Sequence, residues 1–249
     1  MIKLLSIGNS FSQDATAYLY DMARCGNIDI KVVNLYIGGC SLYTHWENVK
    51  NDIQNYQYEI NGTITDRMVS IKEALLEDDW DFVTMQQASQ DSGFEETYFP
   101  YIEQLSDCIK KYSAGAKQLI HQTWAYEIDS TLDGFIRYDS DQMTMYKALT
   151  SAYKKAAQTL NLELIPCGDV IQTLRGLENF NYAKGGQSLC RDGFHMHLIY
   201  GRYAVAATWY QSVLKGNIIE NQYVPPNSDH NTNDKLIRLI KQTVNQVCG

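Results

Sequence analysis

Hydrophobic and polar positions follow two rhythms along the chain. Ile2, Leu4, Leu5 and Ile7 form a short apolar run with one charge, Lys3, and the run ends at Gly8. A run this short and apolar predicts a buried strand. Residues 13–24 then set Ala15, Leu19, Met22 and Ala23 at helical spacing. The pair recurs. Further strands are expected at 28–37, 81–87, 117–124 and 162–166. Helices are expected at 41–54, 71–77, 100–112, 142–160, 169–175, 198–214 and 235–247. Residues 56–69 depart from this rhythm. Tyr56 to Ile60 alternates, Asn61-Gly62 is a strong turn signal, and Thr63 starts a return arm. This predicts a β-hairpin inserted between core elements, either walling a site or lying plainly on the surface. The stretches 88–99, 125–139, 176–190 and 216–234 are too polar or irregular for either pattern and are expected as loops.

Five strands alternating with helices predict an α/β fold, with three α/β/α layers around a five-stranded parallel sheet. The 249 residues suit a single domain spanning 1–249. Composition agrees, since 45% hydrophobic and 20% charged residues allow a large core. The net charge of −8 argues against nucleic acid or an anionic membrane surface as partner and is compatible with a neutral small molecule. No stretch approaches the roughly 18 apolar residues of a membrane span. The first strand begins at once, with no leader before it, so a cytoplasmic protein is expected; an exported mature form that has lost its leader stays open. None of the six cysteines forms a CxxC pair, so no zinc site is indicated and reduced thiols are expected. Neither GxxxxGK[ST] nor GxGxxG occurs, and no cofactor is expected.

Two stretches carry candidate chemistry. Gly8-Asn9-Ser10 turns the chain between a strand end and a helix start, the sheet edge where α/β proteins bind ligands. There Ser10 is either a hydroxyl nucleophile or, like Ser12, a helix cap. In Arg191-Asp-Gly-Phe-His-Met-His197, Asp192 lies three residues before His195. That spacing lets a carboxylate orient the imidazole while its other nitrogen takes a proton from a serine. The same residues also read as a helix cap with a structural histidine. With His197 they read as metal ligands, although i,i+2 spacing is poor for one helix face.

Together the two stretches resemble the SGNH (GDSL-type) hydrolases. Ile7-Gly8-Asn9-Ser10-Phe11-Ser12 is similar to their first block, and Asp192-Gly-Phe-His195 to their last, in the same order and across about residues 2–214. Within that superfamily the chain looks most like a bacterial branch with GNSFS and DGFH motifs. The resemblance implies a flavodoxin-like SGNH fold and a serine esterase with Ser10 as nucleophile, His195 as base and acid, and Asp192 as orienting carboxylate. It implies an oxyanion hole from the backbone of Ser10 and of a glycine after the second strand, Gly38 or Gly39. Gly39 is preferred as the second of the two turn glycines. Asn9 stands where the family has Asp. The third block, usually Gly-x-Asn-Asp, is replaced by Ala88-Ser89-Gln90-Asp91. Strict alignment makes Gln90 the missing donor, whereas related carbohydrate esterases point to Gln87. Short-chain acyl esters, acetyl groups on carbohydrates in particular, are the expected substrates. Trp124, Tyr126 and the aromatic residues at 94–101 are candidates for stacking on a sugar ring. The competing expectations are an inactive carbohydrate-binding protein that kept the fold and a metal-dependent phosphoesterase using His195 and His197.

Overall fold

The computed structural model describes residues 1–226 and 234–249. Part of the expected loop at 216–234 therefore lies outside the described residues. In chain order the elements are β1 (Ile2–Gly8), α1 (Ser10–Thr16), α2 (Leu19–Cys25), β2 (Ile30–Tyr36), α3 (Leu42–Lys50), β3 (Tyr56–Ile60) and β4 (Thr63–Val69). They continue with α4 (Ile71–Glu77), β5 (Phe82–Met85), α5 (Tyr101–Tyr112), β6 (Lys117–His121), α6 (Asp133–Ile136) and α7 (Gln142–Leu160). β7 (Glu163–Ile165), α8 (Cys167–Arg175), α9 (Tyr200–Ser212) and α10 (Asp234–Cys248) complete the chain.

The sheet has the order β4-β3-β2-β1-β5-β6-β7. Strands β2, β1, β5, β6 and β7 are parallel, as their short apolar runs predict. The order of strand addition reverses at β1, with β2 on one side and β5 on the other. Successive right-handed crossovers therefore cover opposite faces, and a crevice opens beyond the C-terminal ends of β1 and β5. Helix α9 packs against α1, α2, α8 and α10, while α3, α4 and α5 pack with one another. Ala204, Val205, Ala206, Ala207 and Trp209 of α9 are fully buried, which explains why its sequence is apolar on every side. Among the described residues, no helix is long and apolar enough to cross a membrane.

The sheet has seven strands, not the expected five. The hairpin forms as its turn signal predicts, with Asn61 and Gly62 at φ 52° and 77°. Its first arm then pairs antiparallel with β2, from Val33 opposite Ile60 to Tyr36 opposite Gln57. Asn61 fixes this register by donating its N–H to Val32 O (2.7 Å) and accepting Val32 N–H on its side chain (2.9 Å). Buried Glu59 accepts from Asn34 at 2.8 Å. The helix expected at 13–24 starts at Ser10 and breaks into α1 and α2. Tyr18 leaves helical geometry at ψ 0°, and its phenol donates to Leu198 O. The loop expected at 125–139 contains the short helix α6. All six cysteines are free thiols.

Two histidines lie wholly inside the protein. His45 of α3 bonds Tyr56 Oη through Nδ1 at 2.8 Å, and His121 of β6 bonds Gln86 Oε1 through Nδ1 at 2.8 Å. Burial pushes both imidazoles down to about 3, so they stay neutral in the fold. The unfolded chain takes up protons at these histidines below about pH 6.5, and the native protein does not. Stability should thus fall as pH drops from about 6.5 toward 4, with a slope of up to about 1.4 kcal/mol per pH unit for each histidine. Urea unfolding at several pH values measures this. His121→Gln should flatten the slope, and an unchanged slope would refute a histidine origin.

Candidate active site

The end of β1 sets the position of Ser10. A Cβ at Gly8 would fall 2.3 Å from Ser12 Oγ, so only glycine lets the strand end lie this close to α1. The helix cap is Asn9, whose Oδ1 accepts the Phe11 N–H at 3.0 Å. Ser12 is fully buried and donates to Asn9 O at 2.8 Å. Neither of the two serines is therefore the cap. Ser10, the first residue of α1, lies on the wall of a cavity.

Asn9 also ties three loops together. Its Nδ2 donates to Cys40 O (3.1 Å), and its Oδ1 accepts from Gln86 Nε2 (2.8 Å). Gln86 Oε1 in turn takes the Nδ1 hydrogen of His121. This accounts for asparagine here, where the hydrolases that the motif resembles have Asp, because a carboxylate has no hydrogen for the Cys40 carbonyl. Cys40 closes a tight turn onto Ile37 O, with Gly39 inside it at φ +64°. Nothing lies within 4 Å of a Cβ at Gly39, so its conformation and not its space demands glycine.

Asp192 and His195 form a closed unit. Asp192 Oδ1 accepts the N–H groups of Phe194 (3.3 Å) and His195 (2.8 Å), and Oδ2 meets His195 Nδ1 at 2.7 Å. Gly193 permits the turn at φ +84°, where a Cβ would also meet Ser130 at 2.9 Å. Partial burial pushes the Asp192 carboxyl up, but its bonds from His195 and Phe194 outweigh this and hold it below the usual carboxylate range. A carboxylate on Nδ1 leaves Nε2 as the basic nitrogen.

Ser10 and His195 line one cavity of about 420 Å³. Its walls also include Tyr36, Gly38, Gly39, Ser89, Gln90, Tyr126, Phe194 and the 132–134 segment. The two candidate amides separate here. Gln87 is buried; its Oε1 accepts from Leu42 and Ala88 N–H, and its Nε2 donates to Thr97 O and Oγ1. Its amide is spent on holding the start of α3 to the 86–100 loop, which corrects the expectation that it faces a developing charge. Gln90 is the glutamine on the cavity wall.

The aromatic candidates separate as well. Tyr126 lines the cavity and pairs with Ser89 Oγ at 2.8 Å; burial pushes its phenol up to about 12. Trp124 is fully buried, which corrects its expected contact with a sugar. It stacks on Phe11 at 4.3 Å and donates Nε1–H to Phe194 O at 2.7 Å. It is a brace between the neighbours of Ser10 and His195. Phe94, Tyr98, Phe99 and Tyr101 do not line the cavity and pack against the core. His197 accepts N–H groups of Ile199 and Tyr200 on Nδ1 and stacks on Tyr200. Among the described residues, no three His, Cys, Asp or Glu side chains are grouped to hold a metal ion. The hairpin does not reach the cavity wall. Sequence reasoning missed Gln86, His121 and the 132–134 segment, whose roles rest on contacts far apart in the chain.

The sequence profile of a domain of unknown function, DUF4886, matches residues 3–242. The chain belongs to the DUF4886 family. A crystal structure of a DUF4886 protein from Bacteroides uniformis is 34% identical, with a TM-score of 0.90, over 99% of this chain and 94% of its own. More distant solved structures share the fold. One is a candidate SGNH hydrolase from Slackia heliotrinireducens, 20% identical with a TM-score of 0.58, covering 84% of this chain and 97% of its own. Another is an acetylxylan esterase from Geobacillus stearothermophilus, 14% identical with a TM-score of 0.53, covering 84% and 93%. The search of curated proteins gave no match. This member of the DUF4886 family thus has the SGNH hydrolase fold, as its first and last motifs imply.

Asn9→Asp tests the junction beneath Ser10. A buried carboxylate would face the Cys40 carbonyl with no hydrogen to give, so urea unfolding should show a loss of about 1–3 kcal/mol. Wild-type stability in this variant would remove the explanation for asparagine.

Proposed function

We propose that this protein is a serine esterase that hydrolyses short-chain acyl esters, acetyl groups on carbohydrates in particular. The observation that carries the reading is that His195, bonded to Asp192 at 2.7 Å, lines the same cavity as Ser10. His195 Nε2 takes the Ser10 proton as Oγ attacks the ester carbonyl. Asp192 keeps the imidazole in the required tautomer and stabilises its charged form. The tetrahedral oxyanion is held by the backbone N–H groups of Ser10 and Gly39 and by the Gln90 amide. His195 then returns the proton to the leaving alcohol, and water activated by the same nitrogen releases the acid from the acyl-enzyme.

The substrate reading rests on three things. The cavity is of the size that suits a small ligand. Tyr126 lines it, and a solved relative in fold is an acetylxylan esterase.

Ser10→Ala should abolish nitrophenyl acetate turnover while leaving unfolding unchanged; retained wild-type activity would sink the assignment. Asp192→Asn should lower kcat without abolishing binding. Gln90→Ala should lower kcat by roughly 10²–10³ if its amide is an oxyanion donor. Gln87→Ala should instead act mainly on stability, since it unties Leu42, Ala88 and Thr97. Comparing kinetics with unfolding for the two glutamine variants separates these roles.

A further inference from the structure

Asp14 is wholly buried on α1, one helical turn after Ser10. Every bond its carboxylate makes reaches the region around His195. Its Oδ1 accepts from Arg191 Nη1 (3.0 Å) and Arg202 Nε (2.8 Å). Its Oδ2 accepts from Arg191 Nη1 (3.1 Å) and the Met196 N–H (2.8 Å). Arg191 and Met196 bracket the 192–195 turn. The Arg191 N–H donates to His195 O at 2.9 Å, and its guanidinium also donates to Met196 O. Arg202 of α9 gives its N–H to His197 O at 2.9 Å, so it holds the far end of the same loop.

Resting on the esterase reading above, we propose that Asp14 is a positioning residue. Its carboxylate, through Arg191, Met196 and Arg202, sets the distance between Ser10 and His195. The nucleophile and the base come from opposite ends of the chain and belong to separate elements. Asp14 is on the helix that begins with Ser10, and its partners flank His195. A shift of this one carboxylate therefore moves the base relative to the nucleophile. Only a carboxylate suits the place. All its partners are donors, and an amide would turn its own N–H groups toward a guanidinium. Asp192 orients the imidazole ring within its turn, whereas Asp14 places the whole turn.

The test is Asp14→Asn in the full chain, with Ser10→Ala as reference and nitrophenyl acetate as substrate. A displacement of the base by about 1 Å should lower kcat about a hundredfold. KM should change by less than about threefold, because Tyr36, Gly39, Gln90 and Tyr126 of the cavity wall lie outside the displaced turn. Labelling of Ser10 by a fluorophosphonate should slow by the same factor as kcat. In a His195→Ala background, Asp14→Asn should cost less than about threefold more, since the group it places is gone. Arg191→Met reads the same contact from the loop side and serves if Asp14→Asn does not fold. A folded variant with kcat near wild type overturns the inference. So does a loss that persists in full in the His195→Ala background, which would mark a general structural role. A wild-type protein that neither turns over the ester nor takes the label overturns the esterase reading, and this inference with it. An active wild type beside an unaffected Asp14→Asn overturns the Asp14 inference alone.

Discussion

The buried amide of Asn9 is the contact on which the cleft depends. One side chain caps α1, accepts from Gln86 at the end of β5 and donates to Cys40 in the turn after β2. Three adjacent parallel strands therefore release their loops from one hydrogen-bonded point. Buried polar groups of this kind are costly without partners, so the bonds of Asn9 and Gln86 favour one arrangement of the loops over others. Neutral His121 closes the chain of bonds from below. A charge anywhere in that chain would be unpaired in the core, and the neutral state of each member is part of how the junction holds its shape.

Around this junction, charges are used where loops must be held at a distance. The 190–197 loop is fastened on one side by Asp14 and its arginines. On the other side, Ser188 donates to buried Glu127, which pairs with Arg175 at 3.5 Å. Glu127 also gives its N–H to Gly193 O, and Trp124 reaches Phe194 O. Within that loop, Asp192 and His195 are left partly open to solvent. The loop is thus fixed at its ends and its flanks, and open at Asp192 and His195.

Much of the fold was legible because it rests on local pattern. The apolar runs at Ile2 to Ile7 and in the later strands mark a parallel sheet, and Asn61-Gly62 marks a hairpin. That the hairpin joins β2 was not legible, because it depends on Asn61 meeting Val32 and Glu59 meeting Asn34. The same limit governs the site. Ser10, Asp192 and His195 stand in short motifs that single them out as candidates, and the structure brings Ser10 and His195 to one cavity. Gln87 and Gln90 are similar in sequence and differ only in what surrounds them: Leu42 and Thr97 for one, the cavity for the other. Trp124 likewise reads as a ligand-stacking residue until Phe11 is seen against its face.

The hairpin has a further consequence for the turn that bears Gly39. Without β3 and β4, strand β2 would end the sheet and offer one row of backbone groups to water. With them, β2 is flanked on both sides and β4 becomes the outer margin. Sheets loosen first at their margins, where backbone bonds are most exposed. On this side of the sheet that loosening falls on β4, where Asp66 and Arg67 are exposed charges that also discourage another chain from pairing there. The Gly39 turn leaves from an interior strand, two strands in from that margin.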